Sequence, residues 1–260
     1  MVAMNPHDID SLRIATPADV RPAAEAFYAL ARDRFDCRVA TCHNIAVKQL
    51  MRDAEGNILA TDVFGWTDDE DDRWWRTPQL ALASPLTTAC RYESDPFWCN
   101  GDGFYTMRPN RWLDGIDLTN FERRSFARTA IVVPIHMPFG QIGAVSFTST
   151  DPSRTDLSEE FAAHGETLGL YSRAFITSYQ RVMVAPERLP VGGTMLSKRE
   201  VECLRWAAIG KTDYEISLIM ARSRATVRFH IHNAATKLDA VNRSQTVFKA
   251  AQLGYIGLNS

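Results

Sequence analysis

The sequence predicts an α+β protein in two domains, a strand-and-helix domain followed by a small all-helical one. Three observations predict it. A β-branched hairpin pattern runs from Ala130 to Phe147, a series of helix-start signatures begins at Ser197, and between them lies a stretch with two prolines and a glycine pair, Ala185 to Met195. The expected division is residues 1–182, a linker at 183–195, and residues 196–260. A chain of 260 residues is long enough for two such cores.

Composition narrows the function classes. No run of 18 apolar residues is present, and the N-terminus MVAMNPHDID lacks a basic region followed by an apolar core. A cytoplasmic protein without a membrane partner is expected. The five cysteines, Cys37, Cys42, Cys90, Cys99 and Cys203, contain no CxxC pair, and an odd count argues against a disulfide framework. Cys42 and His43 lack a second Cys/His pair at zinc-site spacing, so no metal is expected and the thiols read as small apolar side chains. The net charge of -2 hides an asymmetry: residues 196–260 hold ten Lys/Arg against five Asp/Glu, a balance of +5, which leaves -7 for the rest. That split points to a nucleic-acid partner for the C-terminal part alone.

Thr16-Pro17-Ala18-Asp19 opens the first long helix, with Thr as cap, Pro in the first turn and an acid following, and the helix is expected to run to about Phe35. Two strands are expected between Cys37 and Gly65, around a turn at Asp53 to Asn57. The acidic run Asp68 to Asp72 reads as a solvated loop, because metal or phosphoacceptor sites draw their carboxylates from separated elements. A helix is expected from Arg73 to about Ala83.

The chain then becomes aromatic, and five of the six tryptophans lie between Trp66 and Trp112. Rings with a few polar tips suit a pocket for a small organic ligand, with Trp66, Trp75, Tyr92, Trp98 and Phe104 as candidate contacts; the alternative is a filled aromatic core. In the hairpin that follows, Pro134 predicts an edge or bulge position. His136 alternates onto the face opposite Ile135 and Met137 and reads as structural. From Asp156 to about Val182, Phe161, Leu168, Tyr171, Phe175 and Tyr179 recur as on one face of a long helix.

The C-terminal signatures are local. Ser197 and Glu200 form a capping box with Leu196 and Val201 as its hydrophobic staple, and Gly210 ends that helix. Thr212 and Glu215 repeat the box. Ala221, Arg222 and Ser223 make the turn of a helix-turn-helix, Ser223 caps a helix from Arg224 to about Leu238, and Asn242 starts a fourth. On a wheel of about 100° per residue, Val227, Ile231, Ala234 and Leu238 fall on one arc, while Ala225, Arg228, Phe229, His232 and Thr236 fall on the other. Such an outer face suits base edges and thymine methyls in a major groove. The apolar side of the fourth helix, Val247, Ala250, Ala251 and Leu253, is expected to pack partly on its neighbours and partly on a second copy.

Leu196-Ser197-Lys198-Arg199-Glu200, Trp206, Gly210-Lys211-Thr212, Glu215-Ile216, Thr226-Val227, Phe229-His230, Asn233, Lys237-Leu238, Asn242-Arg243 and Gly254-Tyr255-Ile256 fall in one register. In that register the last 60 or so residues resemble the DNA-binding domain of LuxR-type transcriptional regulators. The resemblance implies a cytoplasmic homodimer that sets two recognition helices on an inverted repeat in double-stranded DNA, with RNA polymerase as a further partner. It implies Lys211 and Thr212 near phosphates, Arg228 and His232 in the groove, and Lys237 and Arg243 at the backbone or in support of the fold. Arg224, Thr236 and Lys237 complete the candidate DNA-facing set. The N-terminal part is similar to the family's autoinducer-binding domain, through Ala130-Ile131-Val132-Val133-Pro134 to Gly140, which implies an α/β/α sandwich with a mainly antiparallel sheet. Where that family carries Asp-Pro to accept the amide proton of an acyl-homoserine lactone, this chain has Ser84-Pro85, and Ala130 stands where it has Gly. Trp75 and Trp98 lie where it has ligand-contacting rings. A hydroxyl holds an amide less strongly than a carboxylate. The change implies a ligand other than a standard lactone, or no ligand control; a lactone receptor with Ser84 in the Asp role is the alternative.

Two rivals remain at this stage. A response regulator needs a phosphoacceptor Asp ending an apolar strand and a downstream Lys, but Lys48 is the only lysine before Lys198. An enzyme fused to a DNA-binding tail needs a nucleophile constellation, and neither Ser/His/Asp nor Cys/His spacing recommends one. The expectation is a non-enzyme without a cofactor.

Overall fold

A computed structural model describes residues 6–47, 49–66, 82–184 and 195–257. The acidic run Asp68 to Asp72, Trp75, most of the helix expected from Arg73 and most of the expected linker lie outside the described residues. The rest forms two compact units, one containing residues 6–137 and 141–184, the other residues 195–257.

The first unit opens with α1 (Pro6–Ser11) and a 3-10 turn (Pro17–Asp19) leading into α2 (Val20–Phe35). The start is where Thr16 and Pro17 predict it. The Asp19 carboxylate accepts the Thr16 N–H at 2.7 Å, and that bond holds its pKa below the ordinary value. After β1 (Cys37–Cys42) the expected second strand does not form. Arg52 and Ile58 meet in one isolated bridge around the Asp53 turn, and α3 (Leu59–Asp62) follows at once. The reason is local: the Asp53 carboxylate takes the N–H groups of Glu55 and Asn57 and the Asn57 side chain, which closes the loop too tightly for a ladder.

Next come α4 (Pro85–Ala89), β2 (Phe97–Asn100), β3 (Gly103–Thr106), α5 (Phe121–Ser125), β4 (Thr129–Met137) and β5 (Gln141–Ser149). The 26-residue helix α6 (Ser158–Met183) closes the unit. The strands form one antiparallel sheet in the order β1-β5-β4-β2-β3. Contrary to the edge or bulge position expected of Pro134, β4 is central and its register with β5 runs one to one through Pro134. Its pairing with β2 stops at Val132, however, so Pro134 needs no N–H partner on that side and pairs only with Ala144 of β5.

Strand alternation gives the sheet two different faces. On one, Val39, Ile131, Val133, Ile135, Val145 and Phe147 are buried with Phe27 of α2 and Phe175 of α6. Phe27 meets Phe147 edge-on at 5.9 Å and Phe175 at 5.2 Å. Gly143 lets α6 approach: a Cβ there would sit 2.8 Å from the Ile176 side chain. On the other face Phe97, Cys99, Ala130 and Val132 pack with Ala89, Cys90, Leu113 and Phe121 from the short helices and loops. His136 anchors that layer, with Nε2 at 2.9 Å from the Cys90 carbonyl oxygen.

The second unit holds α7 (Lys198–Ala208), α8 (Asp213–Ile219), α9 (Arg224–Lys237) and α10 (Arg243–Gln252). Every cap read from the sequence is made. Ser197 Oγ accepts the Glu200 N–H, Thr212 Oγ1 that of Glu215, Ser223 Oγ that of Thr226, and Asn242 Oδ1 that of Gln245. Gly210 takes φ +89°, the left-handed conformation that a side chain would strain. Leu196 and Val201 join Leu204, Ala234, Leu238 and Ala250 in the core.

Candidate nucleic-acid interface and ligand cavity

In α9 the sequence splits the helix cleanly. Val227, Ala234 and Leu238 are wholly buried and Ile231 is packed beside them, while Arg224, Ala225, Arg228, Phe229, His232 and Thr236 are exposed. No acidic residue lies within the helix. A continuous outer surface therefore offers cations, an imidazole, a hydroxyl and one ring, which is the mixture needed for base edges and phosphates. Arg228 Nε leans toward Asp213 of α8 at 3.4 Å, but its side chain stays largely exposed, so that pair adds little and leaves the guanidinium able to swing outward. Lys211 precedes α8, and its carbonyl oxygen accepts from Arg243 at 2.7 Å. Arg243 also pairs with Asp213 and thereby ties α10 to the start of α8.

Two of the candidate DNA contacts are committed inside the unit. Thr212 Oγ1 bonds the Glu215 carboxylate at 2.8 Å, which leaves its hydroxyl holding the helix start. Lys237 stays partly exposed, but its Nζ lies 2.8 Å from Oε2 of the buried Glu200. Of the two roles the resemblance implies for Lys237, this pairing fits support of the fold. Burial alone would raise the Glu200 pKa, yet the Lys237 ammonium and the Ser197 N–H outweigh it and hold the carboxyl below the usual range. Around α10, Ala250 is buried and Val247 and Leu253 pack against the core, Ala251 of the expected face stays exposed, and Phe248 and Val241 are exposed beside it.

In the first unit a largely apolar cavity of about 140 Å³ opens on the second face of the sheet, between β1, β5, β4 and the short helices. Its floor is made of small side chains: Ala40 and Cys42 from β1, Ala144, Ser146 and Thr148 from β5. They fit there because each alternates with a larger residue facing α2 and α6. Leu86, Cys90 and Phe126 form the opposite wall.

Of the candidate ligand contacts, Trp66 and Ser84 line this cavity. Trp66 closes the β1 edge by donating its indole N–H to the Val39 carbonyl oxygen at 2.7 Å. Ser84 is buried and precedes α4 without capping it, which leaves the hydroxyl on the cavity wall. Trp98, Tyr92 and Phe104 are not on that wall. Strand alternation sends Trp98 to the α2/α6 face of the sheet, where it stacks on Tyr105 at 4.0 Å. Tyr92 is exposed past the end of α4, and Phe104 packs edge-on against Phe97. Leu86, Phe126 and the small floor residues are wall residues that sequence reasoning missed. For the floor a signal existed, the A-x-S-x-T alternation in β5, which the aromatic cluster overshadowed.

Burial pushes the cavity thiols up, Cys42 to about 11 and Cys90 to about 12, so both are neutral wall groups and not nucleophiles. Burial also draws His43 below its ordinary pKa, where its ring lies against Tyr179. Among the described residues no group of three or more His, Cys, Asp or Glu is placed to hold a metal, and no helix is long and apolar enough to cross a membrane.

Residues 194–250 match the family model for bacterial regulatory proteins of the luxR family. The transcriptional activator VanR of Vibrio anguillarum is 35% identical over 159 residues, 57% of this chain and 63% of that protein. The quorum sensing-dependent regulator RpaR of Rhodopseudomonas palustris is 38% identical over 126 residues, 48% of each. The activator LuxR of Aliivibrio fischeri is 33% identical over 129 residues, 49% of this chain and 50% of that one. Each match thus covers less than two thirds of the relative. Among solved structures, SdiA of Escherichia coli superposes with a TM-score of 0.50 at 21% identity, covering 96% of this chain and 95% of that one, and so shares the fold.

Proposed function

From the premise that the chain carries a luxR-family helix-turn-helix domain at its C-terminus, we propose that it is a sequence-specific DNA-binding transcription regulator whose N-terminal unit responds to a small organic molecule. The observation that carries the DNA half is the acid-free outer face of α9. Arg224, Arg228, His232 and Thr236 read or bracket the major groove, and Lys211 meets a phosphate at the start of α8. The exposed Phe248 and Val241 beside α10 support self-association, so two such helices address the half-sites of an inverted repeat. The named activities of the relatives support a role at promoters, with RNA polymerase as the further partner.

The test is a duplex selected from a random pool, bound by the native chain and by Arg228→Ala, beside scrambled DNA. A loss of about 1–3 kcal/mol on the selected site alone is expected. Equal loss on both duplexes reduces Arg228 to a phosphate contact.

For the ligand half, the supporting observation is Ser84 on the cavity wall, at the position where the resemblance implies a carboxylate. Without that charge, a lactone amide is held weakly and a ligand other than a standard acyl-homoserine lactone is favoured. The second reading, a lactone receptor using the Ser84 hydroxyl, rests on the same placement. A Ser84→Asp variant separates them. If the chain is a lactone receptor, this variant and the native chain both bind acyl-homoserine lactones; if the first reading holds, only the variant gains them.

A further inference from the structure

Beyond the apolar cavity, the floor of the same sheet face continues into a polar cleft. The two share Trp66, Phe126, Ala127 and Thr148 as walls, and the cleft adds Arg38. Cross-strand register makes the floor a graded row. Arg38 pairs with Thr148, Ala40 with Ser146, and Cys42 with Ala144, so polarity falls from a cation and a hydroxyl to two small apolar groups. Four residues of strand span about 13 Å from the first pair to the last.

The other charged side chains of the cleft each have a polar partner. Arg128 meets Glu122 at 3.1 Å, Arg154 meets Glu160 at 2.5 Å, and the Asp151 carboxylate accepts from Ser153. Among the described residues Arg38 pairs with no carboxylate. Its guanidinium is held 4.1 Å over the Trp66 ring, with one long hydrogen bond to the Gly65 carbonyl oxygen at 3.5 Å. The ring fixes the cation at the rim of the apolar cavity, so its N–H fork is positioned before any ligand arrives.

We infer that the cavity and cleft form one site for an amphipathic monocarboxylate, its anionic head on Arg38 with the Thr148 hydroxyl beside it, and its apolar body laid along the Ala40–Cys42 and Ser146–Ala144 floor. Among the described residues Arg38 is the cleft cation without an acidic partner, and a guanidinium takes a carboxylate bidentately. The small floor residues give the body its room. Neutral esters and lactones share the body but lack the head.

This inference rests on the reading that the cavity holds a small molecule, and calorimetry on the full chain separates the two. The probes are decanoate, methyl decanoate and decanoyl-homoserine lactone. Decanoate is expected to bind at least tenfold more tightly than either neutral probe. Arg38→Met removes that preference and leaves the methyl ester unchanged, Arg38→Lys keeps part of it, and Ala144→Leu weakens all binding by narrowing the floor. Equal affinity for acid and ester, or a preference that survives Arg38→Met, overturns the head-group assignment alone. Absence of binding by all three probes to a folded chain overturns the cavity reading and this inference with it. Binding that Ala144→Leu leaves intact moves the site elsewhere and overturns the inference too.

Discussion

In the C-terminal unit each helix begins on a side chain that bonds an N–H three residues later: Ser197 with Glu200, Thr212 with Glu215, Ser223 with Thr226, Asn242 with Gln245. In the N-terminal unit the decisive partners are distant. β1 lies against β5 with Cys37 opposite Ser149, and the core closes only when α2 and α6, from opposite ends of the unit, meet through Phe27 and Phe175. The first kind of order is written in windows of four residues, the second in pairings that no window contains. The contrast extends to the candidate sites: the surface proposed for DNA is one helix face, whereas the cavity floor is assembled from two strands.

The largest test of this contrast is Phe175→Ala. The side chain is wholly buried against Phe27 and Phe64, and its loss is expected to cost about 3–5 kcal/mol in the N-terminal unit. Urea unfolding followed by Trp206 fluorescence, in a variant whose other tryptophans are replaced by Phe, should leave the C-terminal transition in place, while far-UV circular dichroism records the earlier loss of the rest. Coincident transitions would mean that the two units stand or fall together.

A smaller effect is expected from Lys237→Met, about 2 kcal/mol in the C-terminal unit, reduced from the cost of breaking a fully buried pair because the lysine is partly exposed. Its pH dependence is the sharper readout. With the Glu200 pKa depressed, that carboxylate contributes stability above its unfolded value of about 4.3, and the contribution is lost as pH falls through the folded value. Removing the cation leaves only the Ser197 hydrogen bonds to oppose burial, so the Glu200 pKa should rise in Lys237→Met and the variant should lose less stability than the native chain as pH falls through the carboxylate range. A parallel pair of pH profiles would show that Lys237 faces outward after all. Least in size is Ser223→Ala, which removes the cap of the recognition helix at about 1 kcal/mol. Thermal unfolding of the C-terminal unit measures it, and an unchanged midpoint would show that tertiary packing alone sets where α9 begins.

Legibility in the sequence followed the same division. The caps, the turn at Ala221 to Ser223, the buried arc of Val227, Ala234 and Leu238 and the outer arc with Arg228 and His232 were all readable, because helix periodicity and capping relate neighbours. For Lys237 the sequence left two roles, the DNA backbone or support of the fold, and its pairing with Glu200 could not be read because that partner belongs to another helix. In the N-terminal unit the hairpin and both long helices were readable from their patterns. The second strand before Gly65 was not, since the Asp53 side chain competes for the backbone there. Aromatic density suggested a pocket, and Trp66 and Ser84 line one, but Trp98 is on the other face of the sheet.

By itself, then, the sequence determined the helices, their ends and the surface that α9 turns outward, for these depend on hydrogen bonds and burial within a few residues. Only the tertiary structure decided which face of the sheet holds a cavity, that small residues make its floor, and that Arg38 waits at its rim. Those outcomes follow from strand register, which pairs Arg38 with Thr148 and Cys42 with Ala144 across most of the unit's length.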